Sequence, residues 1–113
     1  MNTLLAFNTA ATGGPEVFGS VHSLGHNLVR ERGGSEGWSD LDKLGSTDQP
    51  LDPRLGPFGD NGGLTATFSL LAGSPAMDGA TDASLIAPWS VLVDQRGQPR
   101  KSGGHADIGA FEN

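Results

Sequence analysis

Turn-forming residues cut this chain into segments too short for a long helix. The stretches "TGGP" at 12–15, "RGGSEG" at 32–37, "DNGG" at 60–63, "AGSP" at 72–75 and "KSGG" at 101–104 recur along its 113 residues. Gly and Pro are the strongest local breakers of regular structure. The best helical candidate, "DASLIAPW" at 82–89, is stopped by Pro88 after about two turns. Between the turns lie short apolar or alternating runs: "TLLAF" (3–7), "EVFGSVHSL" (16–24), "TATFSLL" (65–71), "SVLVD" (90–94) and "DIGAFE" (107–112). Runs of this length bounded by turn-formers read as strands. The acidic stretch 33–62 reads as an irregular, exposed excursion. By pattern alone the chain is one all-β domain, either a sandwich or a solenoid of short strands. Hairpin signals are poor, since only "DNGG" approaches a two-residue primed turn.

Composition sharpens these limits. With 18 Gly, 7 Pro, 5 Phe, 2 Trp, no Tyr and 35% apolar residues, the core must be thin. A chain this short buries only about two-thirds of its unfolded surface. Stability must then come from repetitive backbone pairing or from something outside the chain. The net charge of −6 argues against nucleic acid, which demands a basic stripe. The scattered basic residues form no polybasic membrane patch, and no apolar run is long enough for a membrane span. The absence of cysteine excludes disulfides, thiolate metal sites and a Cys nucleophile. The start "MNTLLAFNTA" lacks the basic region and apolar length of a signal peptide. A product complete as written is therefore expected in the cytoplasm.

Three stretches taken together carry a family likeness: "GPEVFGSVHSLGHNLV" (14–29), "DPRLGPFGDNGGLTATFSLLAGSPAMDG" (52–79) and "DQRGQPR…DIGAFE" (94–112). In this order and spacing the chain resembles the C-terminal segment of bacterial right-handed parallel β-helix proteins. Specifically, it resembles the choice-of-anchor (Q type) family of surface or secreted proteins. The resemblance implies a short right-handed parallel β-helix of about three to four coils, a single domain over 1–113. Residues 33–62 would form a loop-rich excursion and 94–113 a terminal cap. It also implies an extracellular or cell-surface location. Similar closing motifs occur on β-helix lyases and glycosidases, so they mark a scaffold's end more than one chemistry.

In such a stack the last coil would expose apolar surface and unpaired backbone unless something closes it. The terminal stretch has the residues for this. Arg96 and Arg100 can offer planar guanidinium forks to Asp78, Asp94, Asp107 or Glu112. Strand alternation would place Ile108, Ala110 and Glu112 on one side of "DIGAFE" and Asp107, Gly109 and Phe111 on the other. The expected role is a buried ion-pair cap; a clamp for a substrate carboxylate or a cation is the functional alternative.

Elsewhere the candidate chemistry is sparse. His22 and His26 in an extended stretch would stand about 13 Å apart, too far to share a zinc ion. No G-x-S-x-G nucleophile elbow occurs. Calcium is the ion best matched to the oxygen donors, with Asp52, Asp60 and Asn61 in "DPRLGPFGDNGG" as ligands. The competing reading is a turn held by its own side chains. Thr65 and Thr67 on one strand face, and Trp38 in the polar "SEGWSD", are candidates for contacting a sugar or flat ligand; Trp89, in an apolar context, reads as core.

Two functions follow as expectations. The first is a non-catalytic module of a surface or secreted protein, serving as scaffold or contacting carbohydrate. The alternative is a small, calcium-dependent hydrolase or lyase acting on a sugar or lactone ring, with His22 or His26 as base and Asp60 or a bound ion as electrophile. A first coil exposing Leu4, Leu5 and Phe7 also predicts a homodimer through the open N-terminal end.

Overall fold

Leu4 and Leu5 lie between two residues with left-handed backbone, Asn2 (φ 58°) and Phe7 (φ 62°). The first apolar run therefore stays extended only briefly. In the computed structural model, which describes residues 1–113, it forms β1 (Leu4–Leu5). Left-handed Gly25 and His26 likewise delay β2 until Leu28–Val29, and β3 spans Lys43–Leu44. The three strands form a parallel sheet in the order β1-β2-β3, pairing Leu4 with Leu28 and Leu28 with Lys43. An isolated parallel bridge between Ser20 and Glu36 adds one further rung of pairing.

The chain then turns back on itself. Strands β4 (Leu55–Gly59) and β5 (Thr67–Leu70) pair antiparallel with a register shift between Leu55 and Phe58. Pro57 is accommodated because this two-stranded sheet is all edge. The Phe58 and Phe68 rings stand 5.0 Å apart across the pair, the cross-strand contact that stabilises a hairpin. Asn61 closes its loop by donating from Nδ2 to Thr67 O at 2.8 Å. Residues Asp82–Leu85 make one 3₁₀ helix, capped by the Thr81 side chain and ended by extended Ile86.

The core draws on distant segments: Leu28 from β2, Leu70 from β5, Ala76 and Ala80 from a turn, and Ala106, Ile108 and Phe111 from the C-terminus. Three of these seven are alanines, so apolar burial is slight. Of the 33 backbone–backbone hydrogen bonds only 6 lie within helices or strands. Turns and side chains therefore hold the fold. Ser74 shows how: its buried hydroxyl donates to Pro53 O at 2.6 Å and accepts from Ala76 N at 3.2 Å.

The expected right-handed parallel β-helix is not the architecture. A β-helix needs coils whose strands continue one sheet; here a three-strand parallel sheet of two-residue strands stands beside an antiparallel hairpin. Left-handed residues at the strand ends stop extended pairing, and the β4–β5 reversal breaks the coil direction. "DIGAFE" is not a strand either. Asp107, Ile108, Phe111 and Glu112 are all buried while Ala110 is exposed, so the residues do not alternate. Stretch 33–62, expected to be irregular, contains β3 and the whole of β4.

The N-terminal strand is also not a bare edge. Gly109 N donates to Asn2 O at 3.1 Å, and the Asn2 side chain bonds Thr81 and Ser84. The C-terminal segment and the 3₁₀ helix thus cover the start of β1. No helix is long and apolar enough to cross a membrane.

Candidate functional site

The charges of the terminal stretch gather around Asp94, which is 7% exposed. Its Oδ1 accepts from Arg96 N and Gln98 N at 2.8 and 3.0 Å, and its Oδ2 from Arg96 Nε and Glu112 N at 2.8 and 3.1 Å. The Arg96 guanidinium also reaches Glu112 O and lies 3.6 Å above the Phe111 ring. Its Nη1 donates to Asn61 O at 3.4 Å, tying the hairpin loop to the terminus. Gly63 makes that approach possible, since a Cβ there would stand 2.7 Å from Arg96 Cα.

Arg100 is buried too. Its Nη2 donates to Asp107 O and Gly109 O at 2.7 and 2.5 Å, while Nη1 stands 3.7 Å from Glu112 Oε2. The Asp107 carboxylate accepts from Asp78 N and Asn113 N, not from an arginine. Asp78 lies outside the arginine pairs; its Oδ1 accepts from His105 N at 2.8 Å.

This arrangement makes opposite demands on its carboxyls. Burial by itself would raise Asp94, but the donors from Glu112, Arg96 and Gln98 outweigh it and hold the carboxyl below its usual value. Asp42 behaves alike: burial raises it, and Ser23, Asn27 and Ser39 donors win. Asp82 is lowered to about 2, first by the Lys101 hydrogen bond and then by Ala106 N. Glu112 moves the other way. Burial raises it and the Asp107 charge adds to that, against donors from Asp107 N and Ser102 N and the Arg100 charge.

The lowered aspartates contribute stability that is lost as pH falls below about 4, whereas the raised Glu112 contributes stability lost as pH rises above about 4.5. Urea-unfolding midpoints are therefore expected to peak near pH 4 to 5. Glu112→Gln should flatten the decline on the alkaline side, whatever it does to absolute stability. An unchanged slope in that variant would contradict the assignment.

The other sequence candidates are dispersed. His22 is exposed and lines no cleft, whereas His26 is half-buried with Nδ1 3.1 Å from Gly79 O. His26 lines a cleft of about 310 Å³ with Asp78, Asp82 and His105, which neither His22 nor Asp60 reaches. The missed member there is His105, whose Nδ1 lies 3.3 Å from Asp82 Oδ2 beside Lys101. The separation of 23 residues hides that pairing in the sequence.

Asp52 and Asp60 accept from the backbone two residues on, at Arg54 N and Gly62 N, and Asn61 spends its amide on the hairpin. These are Asx turns; no group of three or more acidic or histidine ligands is assembled anywhere in the chain. Thr67 is buried and accepts from Asn61 Nδ2, so it faces inward; exposed Thr65 accepts from Gln95 Nε2 at 2.8 Å. Trp38 is half-buried, its indole nitrogen donating to Ser35 Oγ at 2.9 Å.

Trp89 reverses the sequence reading. It is 54% exposed, in a run where Ile86, Val91, Leu92 and Val93 are exposed as well. The small core leaves no room for this run. Trp89, Val91 and Val93 line an open cleft of about 510 Å³ together with Leu24. Polar groups share the lining: Asn2, Ser84, Asp94, Gln95 and Arg100. An apolar aromatic wall with a few polar groups is the usual make-up of a small-molecule site. In comparisons with known proteins, no family model, curated protein or solved structure matches this chain.

Proposed function

We propose that the chain is a non-catalytic binding module of a surface or secreted protein, contacting carbohydrate in the Trp89 cleft. The observation that carries this reading is the half-exposed indole on the wall of a cleft with polar neighbours. A sugar ring offers an apolar face to an aromatic side chain and hydroxyls to polar groups around it. The terminal stretch then serves as structural support: Asp94 and Arg100 line this cleft and are fixed by the ion cluster. The resemblance to the choice-of-anchor family supplies the surface or secreted setting, without its helical architecture. The enzymatic alternative has less support, because His22, His26 and Asp60 share no cleft.

The test is an isothermal calorimetric titration with simple methyl glycosides, whose readout does not depend on the indole being present. Trp89→Ala is expected to weaken binding by about tenfold or more with the melting temperature retained. Equal affinity in that variant would place any binding elsewhere.

Self-association belongs to the same reading. The accessible surface is 6553 Å², against about 5,800 Å² for a folded monomer of this mass. Phe7, two residues past β1, is 60% exposed, and Phe18 in the following segment is 86% exposed. We place a homodimer contact there, alongside the covered start of β1. Light scattering is expected to give the dimer mass at micromolar concentration and the monomer mass for Phe18→Asp. A wild-type monomer at all concentrations would remove this part of the proposal.

A further inference from the structure

We infer that Asn61 is a self-modification site, shielded while the β4–β5 loop is closed and converted to aspartate or isoaspartate when it opens. Asn61–Gly62 is the only asparagine–glycine pair in the chain; Asn2, Asn8 and Asn27 precede threonine or leucine, and Asn113 is terminal. In such a pair the glycine nitrogen can attack the preceding side-chain amide, because no Cβ on glycine blocks the approach. The bond from Gly62 N to Asn61 Cγ forms, the Cγ–Nδ2 bond breaks, and ammonia leaves with the proton from Gly62 N. Water then opens the cyclic imide at either carbonyl, which gives aspartate or isoaspartate.

The closed loop restrains both reacting groups. Gly62 N donates to Asp60 Oδ1 at 2.9 Å. That bond engages the proton the nucleophile must lose, and the carboxylate charge opposes its loss. At the other end, Asn61 Nδ2 donates to Thr67 O at 2.8 Å, with Thr67 Oγ1 and Gly59 O at 3.2 and 3.3 Å. The leaving nitrogen is thus bonded across the hairpin. Gly62, Gly63, Leu64 and Thr65 are exposed, as in segments that open locally. Conversion then prevents the loop from closing as before. Either product replaces the Nδ2 donor with a carboxylate facing the Thr67 carbonyl, acceptor against acceptor. Isoaspartate also lengthens the backbone by one atom, in a turn where even a Cβ on Gly63 would stand 2.7 Å from Arg96 Cα.

The test is peptide mass mapping of the full chain after incubation at mildly alkaline pH, folded and in guanidinium chloride. In denaturant, Asn61 is expected to be the first asparagine to gain the mass of an acid. In the folded chain it should convert about tenfold more slowly or less, since the rate follows the open fraction of the loop. Asp60→Ala, which frees Gly62 N, should convert severalfold faster when folded than Asp60→Ser, which keeps a side-chain acceptor for that nitrogen. Equal rates with and without denaturant would overturn the shielding. Another asparagine converting first in denaturant would overturn the site. Equal rates in the two Asp60 variants would overturn the part given to Asp60.

Discussion

Arg96→Ala is expected to lower the unfolding free energy by about 3 kcal/mol or more, the cost of leaving a buried partner charge uncompensated. The substitution removes the Nε and Nη2 contacts to Asp94 Oδ2, the bond to Glu112 O and the stacking on Phe111. Asp94 keeps three backbone donors, the nitrogens of residues 96, 98 and 112, so the carboxylate is not stripped bare. It nevertheless stays buried without its cation. The contact to Asn61 O is lost too, which frees the β4–β5 loop from the terminus. Urea denaturation at pH 7 measures the effect. An unchanged midpoint would mean that the cluster is ornamental to stability, and the structural role given to it here would fall.

Gly45→Ala is expected to be comparably damaging, at about 3 kcal/mol, for a different reason. Gly45 follows β3 and sits in the parallel ladder, its nitrogen donating to Val29 O and its carbonyl accepting from Arg32 N. A Cβ there would stand 2.0 Å from Arg30 O and 2.3 Å from Leu51 N. Those two atoms are hydrogen-bonded to each other at 2.8 Å. The methyl group would therefore drive a wedge into a backbone bond as well as clash with it. Neither neighbour is a flexible side-chain end that can swing away. Thermal unfolding checks this directly: a melting temperature within a degree or two of wild type would show that the 30–51 crossing is looser than described.

What the sequence discloses depends on how local the cause is. The stretch 65–71 contains β5 because alternation and β-forming residues act within a few positions. The same holds for the short 3₁₀ helix before Pro88, and for the turn at Ser74. The two-residue pairings of β1, β2 and β3 are different. They are set by left-handed backbone at Asn2, Phe7 and His26, which are not glycines and give no sign in the sequence. Asn2 ties itself to Thr81 across 79 residues, a contact no spacing rule anticipates.

The candidate site divides in the same way. Asp94 and Arg96 lie two residues apart, so their affinity is visible as residue types. Trp89 misleads because hydropathy alone predicts burial for "IAPWSVLV". The interior is filled by Leu28, Leu70, Ile108, Phe111 and three alanines, and this run is left outside. Trp38 misleads in the opposite sense, its polar neighbours hiding a partly buried indole held by Ser35. A resemblance built on three sequence stretches could not reveal that the chain reverses direction at residues 60–66, which is what rules out a continuous coil.

The most direct test of the binding account is a two-dimensional amide NMR titration of the isotope-labelled chain with methyl β-glucoside. The account predicts saturable shifts for the Trp89 indole and for the amides of Gln95, Gly109 and Ala110, which line one cleft. Trp38 and Thr65, outside that cleft, should stay in place. Shifts centred on Trp38 or Thr65, with Trp89 unmoved, would contradict it.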